Sequence, residues 1–346
     1  MLRVATFNVN NLFSRWSFAA DLPRTVADAA LPELHADSKE AAAGAVTMDG
    51  QSAGGDVVRI VLPDGQELTG ILRTFAGRLV SGKDPKARAW VARRIAALDA
   101  DVLCLQEVED QDTLDTFCRE DLAALGVDYP YRVVIEGNDP RRIDVAVCSR
   151  APIERISSWR YFGGRVFSRD LLQVAVEAPD GKPVNVFVNH LKSNFVTDEF
   201  ALSPAEVEEA HAAIQAKRTR QTEAIAAILR KQRITKRAVV LGDLNDDPAG
   251  VALSALTRHG MVEHITAATT IPGPTRTGAL VEDRFAAESP TMWTHRHRAN
   301  KKNSYSCFDQ IWTTTDLPIA AAHVMRRTQI TGDGSDHDPA CIDLDL

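Results

Sequence analysis

A recurring pattern marks this sequence: a short apolar run stops and a carboxylate, amide or imidazole follows at once. Asn8 follows Thr6-Phe7, and Glu107 follows Leu103-Cys-Leu-Gln. Asn189 and His190 follow Val186-Phe-Val, while Asp243 and Asn245 follow Val239-Val-Leu-Gly. Asp309 precedes Gln310-Ile-Trp, and Asp336 with His337 precedes Pro339-Ala-Cys-Ile. A hard cation such as Mg²⁺ takes oxygen ligands and keeps several waters, so a sparse set of Glu, Asp and Asn suits it. Imidazoles beside such an ion can move protons near neutral pH. Taken singly these residues are ordinary, since an Asp-Asn cluster after a strand is usually a turn or a helix cap. His337 is harder to dismiss: Asp336 and Asp338 flank it, would raise its pKa, and have no evident structural need.

The elements that must position these groups alternate short apolar runs with helices. Strands are expected at Val4-Ala-Thr-Phe-Asn-Val, Asp101-Val-Leu-Cys-Leu-Gln, Ile143-Asp-Val-Ala-Val-Cys, Leu171-Leu-Gln-Val-Ala-Val, Val184-Asn-Val-Phe-Val and Ala238-Val-Val-Leu. Three more runs follow at Gln310-Ile-Trp, His323-Val-Met and Ala340-Cys-Ile. Asp84-Pro85 opens a helix whose Trp90, Val91, Ile95 and Leu98 recur at helical spacing, with Arg93 and Arg94 facing away. Residues 204–232 form the long helix, with Val207, Ile214, Ile225 and Leu229 apolar. Residues 14–56 lack periodicity and read as a long loop; Asp56-Val-Val-Arg-Ile-Val-Leu and Glu67-Leu-Thr-Gly-Ile-Leu then frame a hairpin at Pro63-Asp-Gly.

The 346 residues carry 45% hydrophobic and 25% charged side chains, enough to bury a core in one large domain. A net charge of −7 argues against a protein that coats polyanions generally, while allowing a local basic groove. Cys104, Cys118, Cys148, Cys307 and Cys341 show no CxxC spacing and read as buried free thiols. Met1 leads straight into a strand without an apolar leader, and no run approaches the ~20 residues of a membrane span. A soluble cytoplasmic protein is expected.

The ordered set Thr6-Phe-Asn-Val-Asn-Asn-Leu-Phe, Leu105-Gln-Glu-Val, Ile143-Asp-Val-Ala-Val, Asn189-His-Leu-Lys-Ser, Leu241-Gly-Asp-Leu-Asn-Asp, Phe308-Asp-Gln-Ile and Gly334-Ser-Asp-His-Asp-Pro resembles the endonuclease/exonuclease/phosphatase superfamily. That superfamily contains deoxyribonucleases, AP endonucleases, sphingomyelinases and inositol-polyphosphate phosphatases. The resemblance implies a four-layer α/β sandwich: two central, mostly antiparallel β-sheets flanked by helices, in a single domain over residues 1–346 with an insertion at about 14–83. It implies that Glu107 is the principal metal carboxylate, helped by Asn8 and Asp336, with Mg²⁺ as the cofactor and Mn²⁺ or Ca²⁺ as substitutes. His337, oriented by Asp309, would act on the scissile phosphate. Asp243 would align or deprotonate the water, Asn245 would donate to a phosphate oxygen, and His190 would serve as a second acid or phosphate ligand. Arg142, in preference to Arg141, fills the place of a phosphate-contacting residue.

Nucleic acid is the expected substrate, motivated by Asn189, Lys192 and the basic, aromatic stretch from Met292 to Tyr305, where Trp293 could stack on bases. A solvated loop is the bland reading of that stretch. His295 and His297 alternate within it, but no third metal ligand accompanies them in sequence. A small-molecule or lipid head-group phosphoesterase is the alternative. An inactive scaffold is a second alternative, against which all the expected positions are filled. The insertion follows Asn8 closely in sequence and is the part that departs most from the family; a lid, a specificity element or an oligomer contact would each fit.

Overall fold

The computed structural model describes residues 1–14, 82–196, 201–275, 289, 291–299, 302–328 and 333–346, with the strand backbones at 46–52, 55–61, 67–72 and 280–281. In chain order the strands are β1 (Leu2–Leu12), β2 (Val46–Ser52), β3 (Gly55–Val61), β4 (Glu67–Leu72), β5 (Val102–Val108), β6 (Tyr131–Val134), β7 (Asp144–Ser149), β8 (Ile153–Ser158), β9 (Leu172–Glu177) and β10 (Pro183–His190). They continue with β11 (Ala238–Asp243), β12 (Met261–Glu263), β13 (Thr269–Ile271), β14 (Gly273–Pro274), β15 (Leu280–Val281), β16 (His295–Ala299), β17 (Lys302–Ser306), β18 (Asp309–Thr314), β19 (Ile319–Met325) and β20 (Ala340–Leu344). The helices are α1 (Pro85–Leu98), α2 (Gln111–Phe117), α3 (Pro204–Lys231) and α4 (Ser254–Arg258).

Alternation along the strands builds four layers. One sheet runs β13-β19-β20-β1-β5-β7-β6 and the other β12-β18-β11-β10-β9-β8. Because side chains alternate between faces, Val4, Val102, Val145, Val147 and Ile342 of the first sheet meet Val174, Val186, Val188, Val239, Leu241 and Ile311 of the second in one buried core. The opposite face of the first sheet, with Phe7, Leu103 and Leu105, packs on Val91, Ile95 and Leu98 of α1 and on Leu114 and Phe117 of α2. The outer face of the second, with Phe187 and Val240, packs on Ile225, Ile228 and Leu229 of α3. Burying each such aliphatic side chain contributes about 1.5–3 kcal/mol, so these rows hold the sheets face to face. The expected sandwich is the observed one.

Both large helices are stopped and started by local chemistry. Asp84 caps α1 by accepting from the backbone N–H groups of Lys86 and Ala87, with Pro85 at its first position. Ser203 and Glu206 form a reciprocal capping box on α3. One expectation fails on α1: Arg94 does not face away but is wholly buried, donating to Asp338 at 2.7 Å. Helical periodicity finds the apolar stripe but misses a cation that is neutralised inside it.

The chain divides into two compact units, Met1–Phe13 with Lys83–Leu346, and Ser14–Gly82. In the second, β3 and β4 form the antiparallel hairpin read from sequence, pairing Asp56 with Leu72 through Val61 with Glu67, and β2 adds a third strand. The rest of the expected loop at 14–56 lies outside the described residues. All five cysteines are free and buried. Among the described residues no helix is long and apolar enough to cross a membrane.

Candidate active site

The inward rows that make the central core turn polar at one end. Along β1 the row Val4, Thr6 continues to Asn8; along β10 Val186, Val188 continues to His190; along β11 Val239, Leu241 continues to Asp243; along β18 Ile311 leads back to Asp309. A period of two therefore delivers these four side chains to the same inter-sheet edge. β10 and β11 lie parallel, with His190 opposite Asp243, and β11 and β18 pair Asp243 with Asp309. Gly242 makes this approach feasible. Its φ of +139° suits glycine, and a Cβ there would sit 1.8 Å from the Asn189 carbonyl oxygen.

Glu107 reaches the same edge through a bulge. The parallel pairing of β1 and β5 shifts register between Asn8 and Leu12, and β5 shifts against β7 between Gln106 and Val108. Asn10, Asn11 and Glu107 all take positive φ there, a conformation that costs an ordinary residue on the order of 1 kcal/mol and re-aims its side chain. Glu107 Oε2 accepts from the Asn11 backbone N–H at 2.9 Å, and its Oε1 stands 3.4 Å from Asn8 Nδ2. Asn10 Nδ2 donates to Asp336 Oδ1 at 2.9 Å. Ser335 Oγ donates to the Asn8 carbonyl at 2.7 Å and accepts from the His337 backbone N–H, tying the 335–337 segment to β1.

His337 Nδ1 lies 2.7 Å from Asp309 Oδ2, a separation at which the ring N–H donates to the carboxylate. Its Nε2 lies 3.7 Å from Asp243 Oδ2, too far for a direct hydrogen bond but within ion-pair reach. Burial opposes charge on His337, but the Asp309 and Asp243 carboxylates outweigh it and raise its pKa to about 10. Asp338 has no part in this: it is fully buried between Arg94, Arg326 and Arg327, a structural role that the sequence did not disclose. Asp243 Oδ2 accepts from Asn8 Nδ2 at 2.9 Å and stands 3.5 Å from His190 Nε2, while its Oδ1 accepts from the Asn245 backbone N–H at 3.0 Å. Burial lifts the Asp243 pKa to about 6, against the pull of the His337 cation. His190 is driven the other way, well below its ordinary value, by burial and by the Arg169 and His337 charges. One site thus holds a charged and a neutral imidazole around one carboxylate.

Some residues expected at the site stand elsewhere. Trp293 is 1% exposed and sandwiched by Arg326, whose guanidinium lies 4.0 Å from the ring centre, so it supports the fold instead of stacking on a substrate. Asn189 is buried on the opposite face of β10 from His190, donating to the Asp170 carbonyl at 2.9 Å. Arg142 turns toward Glu136, 3.8 Å away, and Arg141 is paired with Asp139 at 2.8 Å, with its charge near Glu107 and His190. Lys192 is half-buried near Arg141 and Arg169, with Nζ donating to the Ser193 carbonyl at 3.0 Å. Asn245 donates through Nδ2 to the Leu191 carbonyl at 3.2 Å.

Two contributors, Lys83 and Arg169, were not foreseen, and His295, weighed in sequence without a third ligand, lies against the site. Lys83 donates to the Asn10 carbonyl at 2.7 Å; burial lowers its pKa to about 8, while Glu107 and Asp336 pull it up. Arg169, buried beside Asp139, sits near His190 with no motif to announce it. His295 opens the β16–β17 hairpin, which replaces the expected loop, and its ring centre lies 4.6 Å from that of His337.

The sequence profile of the Endonuclease/Exonuclease/phosphatase family matches residues 5–337, from β1 to the His337 motif. The chain belongs to this family. No curated protein sequence matches it. Among solved structures, an endonuclease/exonuclease/phosphatase family protein from Leptotrichia buccalis is 14% identical with a TM-score of 0.51, covering 75% of this chain and 93% of that one. A family protein from Bacteroides thetaiotaomicron is 13% identical with a TM-score of 0.50, covering 75% and 88%. At such identities the likeness concerns the fold alone.

Endonuclease/exonuclease/phosphatase proteins are typically metal-dependent phosphodiesterases, and the donors here fit a hard divalent cation. Glu107 and Asp336 offer carboxylate oxygens, the donors Mg²⁺ prefers, on segments joined through Asn10 and Asn11, while Asn8 turns its Nδ2 toward Glu107 and its Oδ1 to the Asn10 N–H. Asp309 Oδ1 and His190 Nδ1 are buried with no hydrogen-bond partner among the described residues, a cost that a bound ligand would relieve.

Proposed function

We propose that this family member hydrolyses phosphodiester bonds of nucleic acid, using a divalent cation, Mg²⁺ first, held by Glu107 and Asp336 with Asn8 beside them. The bound cation would neutralise charge building up on the phosphate. The observation that carries the reading is the facing of Asp243 Oδ2 and His337 Nε2 at 3.7 Å, with His190 Nε2 at 3.5 Å from the same oxygen. A water or phosphate oxygen about 2.8 Å from each would stand beside the His337–Asp243 pair and bridge it from one side.

In this arrangement the roles divide by charge. Asp243, with a pKa near 6, is a carboxylate at neutral pH and takes the proton of the attacking water. His337, an imidazolium, donates through Nε2 to a non-bridging phosphate oxygen as the pentavalent state forms, and Asp309 fixes its ring. The departing oxygen takes a proton as the phosphorus–oxygen bond breaks; Lys83, a cation beside Glu107 and Asp336, can supply it, while neutral His190 can offer only a hydrogen bond.

A polyanion is favoured over a single head group because cations flank the site. Arg141 and Lys192 lie near His190, with Lys217 next to Lys192, and phosphates on either side of the scissile one would meet these three cations, whereas Arg169 is buried against Asp139. The test is a direct competition among plasmid DNA, RNA, a choline phospholipid and phosphate monoesters, with purified protein and Mg²⁺. Fastest turnover of DNA or RNA is the expected result; faster release from the lipid or the monoesters would replace nucleic acid as the substrate.

A further inference from the structure

His295 and His297 lack a third metal ligand in sequence, and the fold supplies one to His295 from another element. The backbone of His295 bridges that of His337, and Thr294 accepts from the Asp338 N–H, so the β16–β17 hairpin is seated on the 336–338 segment. Its ring stacks on Phe308 with centres 5.3 Å apart. There His295 Nε2 stands 3.5 Å from Asp336 Oδ2, and ligand atoms of His295, Asp336 and His337 lie within 4.8 Å of one another.

We infer that His295, Asp336 and His337 form a second cation site, one that takes an imidazole-preferring transition ion such as Zn²⁺ and is separate from the oxygen-only Mg²⁺ position at Glu107. The 3.5 Å spacing is close to the roughly 3.3 Å edge of a tetrahedron with bonds of about 2.0–2.1 Å. Asp336 can serve both positions, because Asn10 engages its Oδ1 while its Oδ2 turns to His295. His337 Nδ1 is committed to Asp309, so Nε2 is the ligand once the ion displaces its proton to solvent, giving a carboxylate–imidazole–metal relay. Nitrogen ligands favour Zn²⁺ and Cu²⁺ over Mg²⁺. An ion on His337 Nε2 takes the nitrogen that the proposed hydrolysis uses, so Zn²⁺ inhibits. That consequence rests on the proposed function; the binding does not.

The experiment titrates metal-free, full-length protein with Zn²⁺ by calorimetry and with Co²⁺ by visible absorption, without substrate. Wild type, His295→Ala, His295→Phe and Glu107→Gln are compared, the Phe variant keeping a ring against Phe308 without its nitrogens. The expected result is a Zn²⁺ affinity lowered by roughly tenfold or more in both His295 variants, unchanged in Glu107→Gln, with a Co²⁺ ligand-field band that the His295 variants lose. Under saturating Mg²⁺, the Zn²⁺ concentration that halves hydrolysis rises by a similar factor in His295→Phe. Equal Zn²⁺ affinity in wild type and His295→Phe, or loss in Glu107→Gln alone, overturns the site. Absence of any hydrolysis overturns the proposed function and leaves the binding comparison standing.

Discussion

Asp309 holds His337 by a single 2.7 Å hydrogen bond to Nδ1, and both groups are buried where no other described side chain competes for that nitrogen. The pair fixes which imidazole nitrogen faces Asp243. Asp309→Asn keeps the shape but removes the charge that holds the ring protonated and oriented. Hydrolysis is expected to fall by about 10²–10⁴-fold with little change in substrate KM. Steady-state kinetics on the preferred substrate checks this, with circular dichroism to show that the fold is kept.

The same pair predicts a pH signature. The folded pKa of His337 is raised to about 10 from an ordinary 6.5, so its contribution to stability is complete below about pH 6.5 and is lost as pH rises through 10. In metal-free protein the His337 ring is expected to stay protonated at pH 8 by NMR, and Asp309→Asn to bring its titration down toward the ordinary range. The melting advantage of wild type over His337→Gln should shrink between pH 6.5 and 10. A ring that titrates near pH 6.5 in wild type contradicts the electrostatics described for the site.

Asp338 anchors the loop that carries His337. Arg94 from α1 reaches it at 2.7 Å and Arg327 at 3.1 Å, and neither Asp338 nor Arg94 is exposed. Asp338→Ala leaves buried cations uncompensated and is expected to cost about 3–5 kcal/mol, read by urea denaturation. Arg94→Met is expected to cost less, since Arg326 and Arg327 still neutralise the carboxylate.

Gly242→Ala drives a methyl into the Asn189 carbonyl in a backbone conformation that disfavours side chains. A loss on the order of 2–3 kcal/mol is expected. Because Gly242 sets the contact between His190 and Asp243, activity should fall more steeply than stability.

Much of this site was legible because strand alternation is local. A strand recognised from Val239-Val-Leu puts Asp243 on the same face as Leu241, and the order of motifs supplied the rest. Asn189 shows the limit of that logic: it stands beside His190 in sequence, and alternation sends it to the other face. Trp293 and Arg94 misled for a different reason. Each looked like a surface residue, yet each is buried by a partner distant in sequence, Arg326 and Asp338 respectively. The β16–β17 hairpin escaped notice because His-Arg-His-Arg alternation carries no apolar face, and its seating on His337 is tertiary. Lys83 and Arg169 have no motif; only burial near carboxylates distinguishes them.

The most direct measurement is cleavage of supercoiled plasmid and of single-stranded RNA by metal-free protein before and after addition of Mg²⁺, for wild type, Glu107→Gln and His337→Ala. The account predicts hydrolysis by wild type only with Mg²⁺, a much higher Mg²⁺ requirement in Glu107→Gln, and a loss of at least about 10²-fold in His337→Ala at every Mg²⁺ concentration. Equal cleavage with and without the ion, or by His337→Ala and wild type, would contradict it.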